Sequence, residues 1–498
     1  MKLRTLLKDL PDIIVKGQKD IEITGISSNS KQVAPGNLFI ARKGVMHDGN
    51  RYVPEAIHAG ATAILTDIYD PSLKQVTQLL SPHVHEMEAC LAFHYHQKAS
   101  ESLWMVGITG TNGKTTTSYL VRHILEECGQ PCGLIGSIEY VAGEKRYMAT
   151  RTTPDVCLNH KLLREMVVED CTAGVMEVTS HALDQGRVAH IEFDVAVFTN
   201  LSHEHLDYHK TMSHYAAAKS QLFSNLKRRA GSRKVELPLW AVVNRDDPHA
   251  ERMTEGCHVN LVRFGMTDGL DLTASELTSS AHGSHFTATY RGERVSLFCP
   301  ILGRHNVYNA LAALGVGIAR GLALAEMAPA LATFQNVPGR LERIENPLGV
   351  HIFVDYAHKP EALKTVLETV APLTSGRRIV VFGCGGDRDR EKRPQMAKIA
   401  ESHADVVIVT NDNPRSENAQ DIAKEITSGF CFPQRHHVEL SRERAIAIAI
   451  QMALPGDVVL IAGKGNEQIQ IIGHQVIAFD DRMEARKCVE FLAAARRA

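Results

Sequence analysis

A three-domain α/β fold is what the sequence predicts, on three observations. Apolar runs of strand length alternate with helical stretches along most of the chain. One of those runs ends in a glycine-rich turn that leads straight into a helical stretch. The chain has 498 residues, which at roughly 100–200 residues per domain makes about three domains. Each is large enough to bury a core without metal or disulfide staples.

The elements follow in order. Residues 1–102 read as a small N-terminal α/β domain. Within Ile21–Ala41, ITGISSNS is followed by the turn VAPGN and the strand LFIA. A helix over Val53–Ala59, with its proline near the start where a helix tolerates one, precedes the strand ATAILT. The polar stretch His96–Ser102 reads as a linker. Residues 103–338 open with the strand WMVGITG and a helix from Thr115 to Cys128. The strands TAGVMEV, FDVAVFTN and LWAVVN come next, and the helix-rich NVYNALAALGVGIARG closes the block before Pro338. That alternation makes a mainly parallel sheet covered by helices. Residues 339–498 form a second, Rossmann-like unit with strands in HIFVDYA, RRIVVFG, ADVVIVT and GDVVLIAG. Ligands of open α/β sheets sit outside the carboxyl ends of the strands. The informative residues are therefore expected just after each strand.

Composition narrows the function classes. Hydrophobic residues are 44% and charged residues 22%, ordinary for a globular protein. The net charge of −2 gives no global field to hold a polyanion, which argues against nucleic acid as the main partner. The ten cysteines form no CxxC pair and read as reduced, mostly buried thiols. Charges interrupt the apolar N-terminus, and no run of about 18 apolar residues occurs. A cytoplasmic enzyme without a membrane span, and a monomer, is the expectation.

The strongest local signal is Gly110-Thr111-Asn112-Gly113-Lys114-Thr115-Thr116. Such a turn points backbone N–H groups into a concavity at a helix N-terminus, and both features favour phosphate oxygens. This marks the central block as a P-loop ATPase-type domain. Lys114 supplies a mobile cation for the β- and γ-phosphates, and the Thr115 hydroxyl suits Mg²⁺. The spacing is a short variant, because Ile108 occupies the first glycine position of the longer motif. Phosphoryl transfer needs a divalent metal. Glu177 ends one apolar strand, and Asn200 ends the next, before LSHEHLDYH. His203, His205 and His209 in that segment leave Mg²⁺ with one imidazole ligand, a zinc site, or plain surface histidines as alternatives. In the third block Asp412-Asn413-Pro414-Arg415 follows a strand. An arginine fixed beside a proline-stiffened turn suits a carboxylate, and Asp412 suits an ammonium. A simple turn before a helix is the plain alternative.

Taken together, TGTNGKTTT, MEVTSHALDQGRV, FTNLSHEHLDYH, GRHNVYNALAA, VPGRLER and VDYAHKPEAL resemble the Mur ligases and the related folylpolyglutamate synthetases, in order and over nearly the whole chain. Within that family the chain looks most like the branch that joins an amino acid to UDP-N-acetylmuramoyl-L-alanyl-D-glutamate. The resemblance implies an ATP-dependent ligase of peptidoglycan precursor synthesis that activates a carboxylate as an acyl-phosphate. It implies that Gly110 to Thr116 hold the ATP phosphates, and that Thr115, Glu177 and His205 hold Mg²⁺. Lys219 matches the lysine that the family carbamylates, as a further oxygen ligand. Asn306, Asn309, Arg340, Asp355 and His358 are implied around the nucleotide. Ser30, Thr152, Thr153, Thr179, Gln185 and Arg187 are implied at the UDP-muramoyl dipeptide. The DNPR turn implies meso-diaminopimelate as the added amino acid. Arg388, Gly463 and Glu467 complete that pocket with Asp412, Asn413, Pro414 and Arg415. Lysine would leave Arg415 without an anion.

The chain departs from the family pattern in four places. It has Asn29-Ser30-Lys31 for Asp-Ser-Arg, Thr179 for Ser, Glu204 for Asp and Asn466 for His. Competing readings are another Mur ligase or a folylpolyglutamate synthetase-like ligase, or a P-loop nucleotide-binding protein without ligase chemistry. The last need not keep Lys219, His205 or the third-block motifs.

Overall fold

The computed structural model describes residues 1–8, 10, 13–44, 48–432, 434 and 436–495. Its packing divides the chain into two units. The first comprises Met1–Thr273, Tyr290–Gly292 and Leu311–Met327, and the second comprises Ala274–Thr289, Glu293–Ala310 and Ala328–Ala498.

Unit 1 holds two sheets. The smaller runs Ile14–Lys16, Thr77–Leu80, Ala63–Thr66, Asn37–Ile40, Gly25–Ser27. Its first strand is antiparallel and the rest are parallel. Every residue of Asn37–Ile40 and Ala63–Thr66 is buried. Both faces of these strands are covered, as parallel strands require: Leu38 and Leu65 pack with Leu3 and Leu91, and Phe39 and Ile64 with Val53 and Ala56.

The larger sheet places six parallel strands in the order Asn260–Gly265, Trp240–Asn244, Val195–Phe198, Trp104–Thr109, Ala173–Glu177, Cys132–Ile135. Antiparallel Glu139–Ala142 and Lys145–Met148 follow at one side. Trp104–Thr109 sits near the centre with all six residues buried. The chain's next strand lies to one side of it and later ones to the other, so the order reverses beside it. The register sets Glu177 opposite Ile108 and Phe198 opposite Thr109. The carboxyl ends of three strands therefore meet, and with them the glycine turn, Glu177 and Asn200.

Unit 2 carries a sheet in the order Glu342–Ile344, His351–Asp355, Val458–Ala462, Arg378–Phe382, Val406–Val409, His436–Val438. Its first strand is antiparallel and the others parallel. Phe353, Val380, Phe382 and Leu460 pack on one face with Leu363, Met396 and Ile426. Ile352, Val381 and Ile461 pack on the other with Ala445, Ala449 and Val489. A separate hairpin pairs Ile469–Ile472 with Gln475–Ala478.

Three features differ from the sequence reading. Strands Leu272–Ser280, Gly283–Tyr290 and Glu293–Cys299 are half-exposed and rich in polar residues, so no apolar run announces them. The polar stretch read as a linker is buried at Ser100 and Glu101, because a 3-10 turn over Ala99–Glu101 packs under the first strand of the large sheet. All ten cysteines are free, but only five are fully buried, and Cys431 is exposed.

Candidate active site

The glycine turn can only be glycine at its first position. Gly110 has φ +150°, and a Cβ there would lie 1.9 Å from Thr199 Oγ1. Thr199 Oγ1 instead donates to the Asn112 carbonyl at 2.7 Å. The Asn200 carbonyl accepts from the Thr111 N–H at 2.8 Å, and Asn200 Oδ1 from the Asn112 N–H at 2.9 Å. The strand end at Asn200 thus clamps the turn from outside. Gly113, at φ 84°, opens the helix Lys114–Glu127, which aims its N-terminal dipole into the concavity. Lys114 Nζ folds back on the Gly110 and Thr111 carbonyls at 2.8 Å each.

Glu177 is fully buried and is held by a ring of donors. Thr115 Oγ1 donates to its Oε2 at 3.0 Å, Ser137 Oγ to the same oxygen at 3.0 Å, and the Ser137 N–H to Oε1 at 2.8 Å. An oxygen-only set of carboxylate and two hydroxyls fits Mg²⁺ better than a soft metal. Ser137 was not singled out in the sequence. It sits in a short turn between two strands, and no motif marks it.

Lys219 lies on the helix Met212–Ser224 and is 1% exposed. Its Nζ donates to the Gly110 carbonyl at 2.7 Å and lies 4.6 Å from the centre of the Tyr215 ring. Tyr215 OH is 3.1 Å from Thr111 Oγ1. Burial, and then the charge of Lys114, press the Lys219 amine well below the ordinary lysine range.

His205 has φ 57° and sets its ring against His181 and Tyr215, at 4.9 and 6.0 Å between centres. The residue is exposed, but partial desolvation of the ring by its neighbours, with the charges of Lys114 and Lys219 adding to it, lowers its pKa to about 4, a direction that favours the neutral ring with a lone pair for a ligand. His209 Nε2 is 2.9 Å from Ser180 Oγ, and His203 is exposed. Among the described residues no group of three or more His, Cys, Asp or Glu could hold a metal ion.

A polar row extends from Glu177. Thr153 Oγ1 donates to the Glu177 carbonyl at 2.8 Å and lies 3.2 Å from Thr179 Oγ1. Thr179 caps the helix Ser180–Asp184. Thr152 Oγ1 lies 3.1 Å from Ser137 Oγ. Arg187 donates to the Thr153 carbonyl at 3.1 Å and to Gln185 Oε1 at 2.6 Å. Thr153, Thr179, Gln185 and Arg187 are thus joined by one run of polar contacts, with Thr152 next in sequence to Thr153. Ser30 donates to Glu55 Oε2 at 2.9 Å.

Unit 2 brings together a second set. Asp355, at the end of its strand, accepts from the Leu341 and Ala357 N–H groups at 2.7 Å each. Burial pushes its carboxyl up, against the pull of Arg340. The Arg340 guanidinium lies 4.6 Å from the Tyr356 ring centre, and His358 Nδ1 is 2.9 Å from the Tyr356 carbonyl. Asn309 Nδ2 donates to Asn306 Oδ1 at 2.9 Å, and Asn306 Nδ2 to the Leu302 carbonyl at 2.7 Å.

The DNPR turn meets the glycine loop after the strand Val458–Ala462. Gly463 has φ +118°, and a Cβ there would come within 2.8 Å of Asp412 Oδ2. Asn413 Nδ2 donates to Glu467 Oε2 at 2.8 Å. Arg415, at φ 54°, donates to the Gly386 carbonyl at 2.8 Å. Both Arg415 and Arg388 border Gly385. Two buried arginines outside these motifs brace this region. Fully buried Arg442 grips Asp481 with two bonds of 2.7 Å and donates to the Ala462 and Asn411 carbonyls at 2.9 and 3.1 Å. Fully buried Arg393 bridges Glu417 and Glu425. These pairings span tens of residues in sequence, so no local motif could have shown them.

Comparison with known proteins agrees with this geometry. Three family models match successive stretches: "Mur ligase family, catalytic domain" at 22–96, "Mur ligase middle domain" at 108–317, and "Mur ligase, glutamate ligase domain" at 339–465. The UDP-N-acetylmuramoyl-L-alanyl-D-glutamate--2,6-diaminopimelate ligase of Geobacillus kaustophilus is 41% identical over 491 residues, covering 98% of this chain and 99% of that protein. A solved structure of a ligase with the same substrate name is 30% identical with TM-score 0.71, covering 99% of both chains. The MurF ligase of Thermotoga maritima in complex with ADP shares the fold at 21% identity and TM-score 0.64, covering 97% of this chain and 100% of that one.

Proposed function

The chain belongs to the Mur ligase family, and on that premise we propose that it joins meso-diaminopimelate to UDP-N-acetylmuramoyl-L-alanyl-D-glutamate with ATP, in peptidoglycan precursor synthesis. The observation that carries the ligase reading is the meeting of the glycine turn, Glu177 and Lys219 at the carboxyl edge of one sheet. In this reading residues 1–102 bind the UDP moiety, 103–338 hold ATP, and 339–498 hold the amino acid. The protein acts as a cytoplasmic monomer. Among the described residues no helix is long and apolar enough to cross a membrane.

The chemistry runs in two balanced steps. An oxygen of the D-glutamyl side-chain carboxylate attacks the γ-phosphorus of ATP. The bond from that phosphorus to the bridging oxygen breaks, and ADP leaves. The amine of diaminopimelate then attacks the acyl carbon, the C–O bond to phosphate breaks, and the amine proton is released with phosphate. The N–H groups from Gly110 to Thr116 and the Lys114 ammonium orient the phosphates and offset their charge. Thr115, Glu177 and His205 would hold Mg²⁺, which when bound neutralises charge on the phosphate oxygens. In its neutral form the Lys219 amine can add to carbon dioxide, forming an N–C bond and losing one proton. The resulting carbamate gives the site a further anionic oxygen and turns a poorly placed cation into a ligand. Asn306, Asn309, Arg340, Asp355 and His358 surround the nucleoside. Ser30, Thr152, Thr153, Thr179, Gln185 and Arg187 bind the UDP-muramoyl dipeptide. Arg415, with Arg388 nearby, takes the distal carboxylate of diaminopimelate, and Asp412 and Glu467 take its distal ammonium.

Incubation with ATP, the UDP-muramoyl dipeptide and a panel of amino acids tests the assignment. Diaminopimelate should be incorporated in preference to lysine at equal concentration, and preferential use of lysine overturns the substrate choice. Oxygen-18 in the dipeptide carboxylate should appear in the released phosphate. Its absence there rules out the acyl-phosphate.

A further inference from the structure

Among the described residues of unit 2, three cations are fully buried: Arg393, Arg442 and Lys464. Arg393 is closed by Glu417 and Glu425, and Arg442 by Asp481. Those carboxylates have no part in the proposed pocket. Lys464 is different. Its ammonium donates to three acceptors: Asn413 Oδ1 at 3.2 Å, Glu467 Oε2 at 3.0 Å, and the Ile469 carbonyl at 2.7 Å. Each belongs to a separate structural piece. Asn413 is in the DNPR turn, Glu467 ends the glycine loop, and Ile469 opens the hairpin Ile469–Ile472.

The three pieces are also laced to one another. Asn413 Nδ2 donates to Glu467 Oε2 at 2.8 Å, and Asn413 Oδ1 accepts from the Ile471 N–H at 3.0 Å. The Ile471 carbonyl accepts from the Arg415 N–H at 3.0 Å, and the Arg415 carbonyl from the Gly473 N–H at 2.7 Å. Arg415 is thereby held at φ 54°, a left-handed conformation that a non-glycine residue keeps only where its surroundings enforce it.

We propose that Lys464 is a positioning residue for the amino-acid pocket, one that locks the DNPR turn, Glu467 and the hairpin into a single frame. The inference rests on the diaminopimelate-ligase reading and deepens it. Lys464 and Asn413 both engage Oε2 of Glu467, which fixes the carboxylate and leaves Oε1 to take a ligand ammonium. Through Asn413 and the hairpin it also fixes the backbone from which the Arg415 guanidinium extends. Both charges that would select a zwitterionic chain end are thus set by one ammonium that the ligand never touches.

Lys464→Met removes the charge and donors while keeping most of the volume. The expected result is a rise of at least about tenfold in KM for meso-diaminopimelate. KM for ATP, and the acyl-phosphate trapped as a hydroxamate by hydroxylamine, should both stay within about twofold. Because Lys464 acts through Glu467, adding Glu467→Gln to Lys464→Met should cost much less than the product of the two single losses. A wild-type enzyme that does not use diaminopimelate sinks the substrate reading itself. A wild type that uses it, with an unchanged KM in Lys464→Met, sinks only the role of Lys464. Equal losses in hydroxamate formation and diaminopimelate use, or independent multiplication with Glu467→Gln, also overturn it. Should Lys464→Met fail to fold, the same readings on Lys464→Gln decide the matter. Failure of both variants to fold assigns Lys464 to stability alone and overturns the proposal.

Discussion

Two buried lysines, Lys219 of unit 1 and Lys464 of unit 2, are handled in opposite ways, and Lys234 of unit 1 follows the second pattern, its Nζ 2.7 Å from Asp194 Oδ2. In unit 1 the Lys219 amine is given a backbone carbonyl and an aromatic face and, among the described residues, no carboxylate. In unit 2 the Lys464 ammonium has Glu467, and the neighbouring Arg442 and Arg393 have Asp481, Glu417 and Glu425. A buried charge without a counter-ion is costly, and the group sheds the charge instead. A compensated one keeps its charge and fixes geometry. The difference sets the Lys219 amine apart from the ion-paired Lys234 and Arg228 of its own unit as well as from the paired cations of unit 2.

The largest expected effect tests the compensated side. Asp481→Ala strands the fully buried Arg442 guanidinium, and removing one partner of a buried pair costs about 3–5 kcal/mol. Thermal and denaturant unfolding should show a loss of that size. A change below about 1 kcal/mol would mean that Arg442 is not held by charge.

Lys219→Ala attacks the other side of the contrast. Turnover should fall by about 10²–10³-fold, the scale of losing one preorganised electrostatic group, while the unfolding transition moves less than in Asp481→Ala. Short carboxylic acids added to the assay should restore part of the rate by replacing the carbamate oxygens. A fully active Lys219→Ala enzyme removes the reactive-amine reading.

Arg415→Ala probes the pocket that the paired cations support. Arg415 is only partly buried, so the lower part of the range for a truncated charge pair applies. That is about 2–3 kcal/mol, or ~30- to 150-fold in diaminopimelate affinity. ATP binding should be unchanged, and isothermal titration of each substrate separates the two. Equal losses for both would show that Arg415 serves the unit and not the ligand.

The smallest effect concerns Thr179, which caps a short helix through the Ala182 N–H at 3.2 Å and also touches Thr153. Thr179→Ala should lower stability by about 1 kcal/mol. Thr179→Ser, which keeps the hydroxyl, should lose little, and a Ser variant as unstable as Ala would deny the cap.

The sequence by itself determined the alternation of strands and helices, because the central parallel strands are buried on both faces and show as continuous apolar runs, whereas the partly exposed parallel strands Asn260–Gly265 and His436–Val438 show no such run. It also determined the glycine turn, Glu177 at a strand end and the DNPR turn, since each is a local pattern with a local physical reason. The polar strands from Leu272 to Cys299 escaped, because half-exposed strands carry no such run. Ser137 on Glu177, Asn200 on the glycine turn, Asp481 under Arg442, and Lys464 between Asn413 and Glu467 were decided only by the tertiary structure. Burial of Lys219 belongs with them: as a sequence it is one more helix lysine, and only the packing of its helix against the glycine turn removes it from water. Solvent exclusion and long-range hydrogen bonding depend on which strand ends meet, and nothing in the local sequence encodes that.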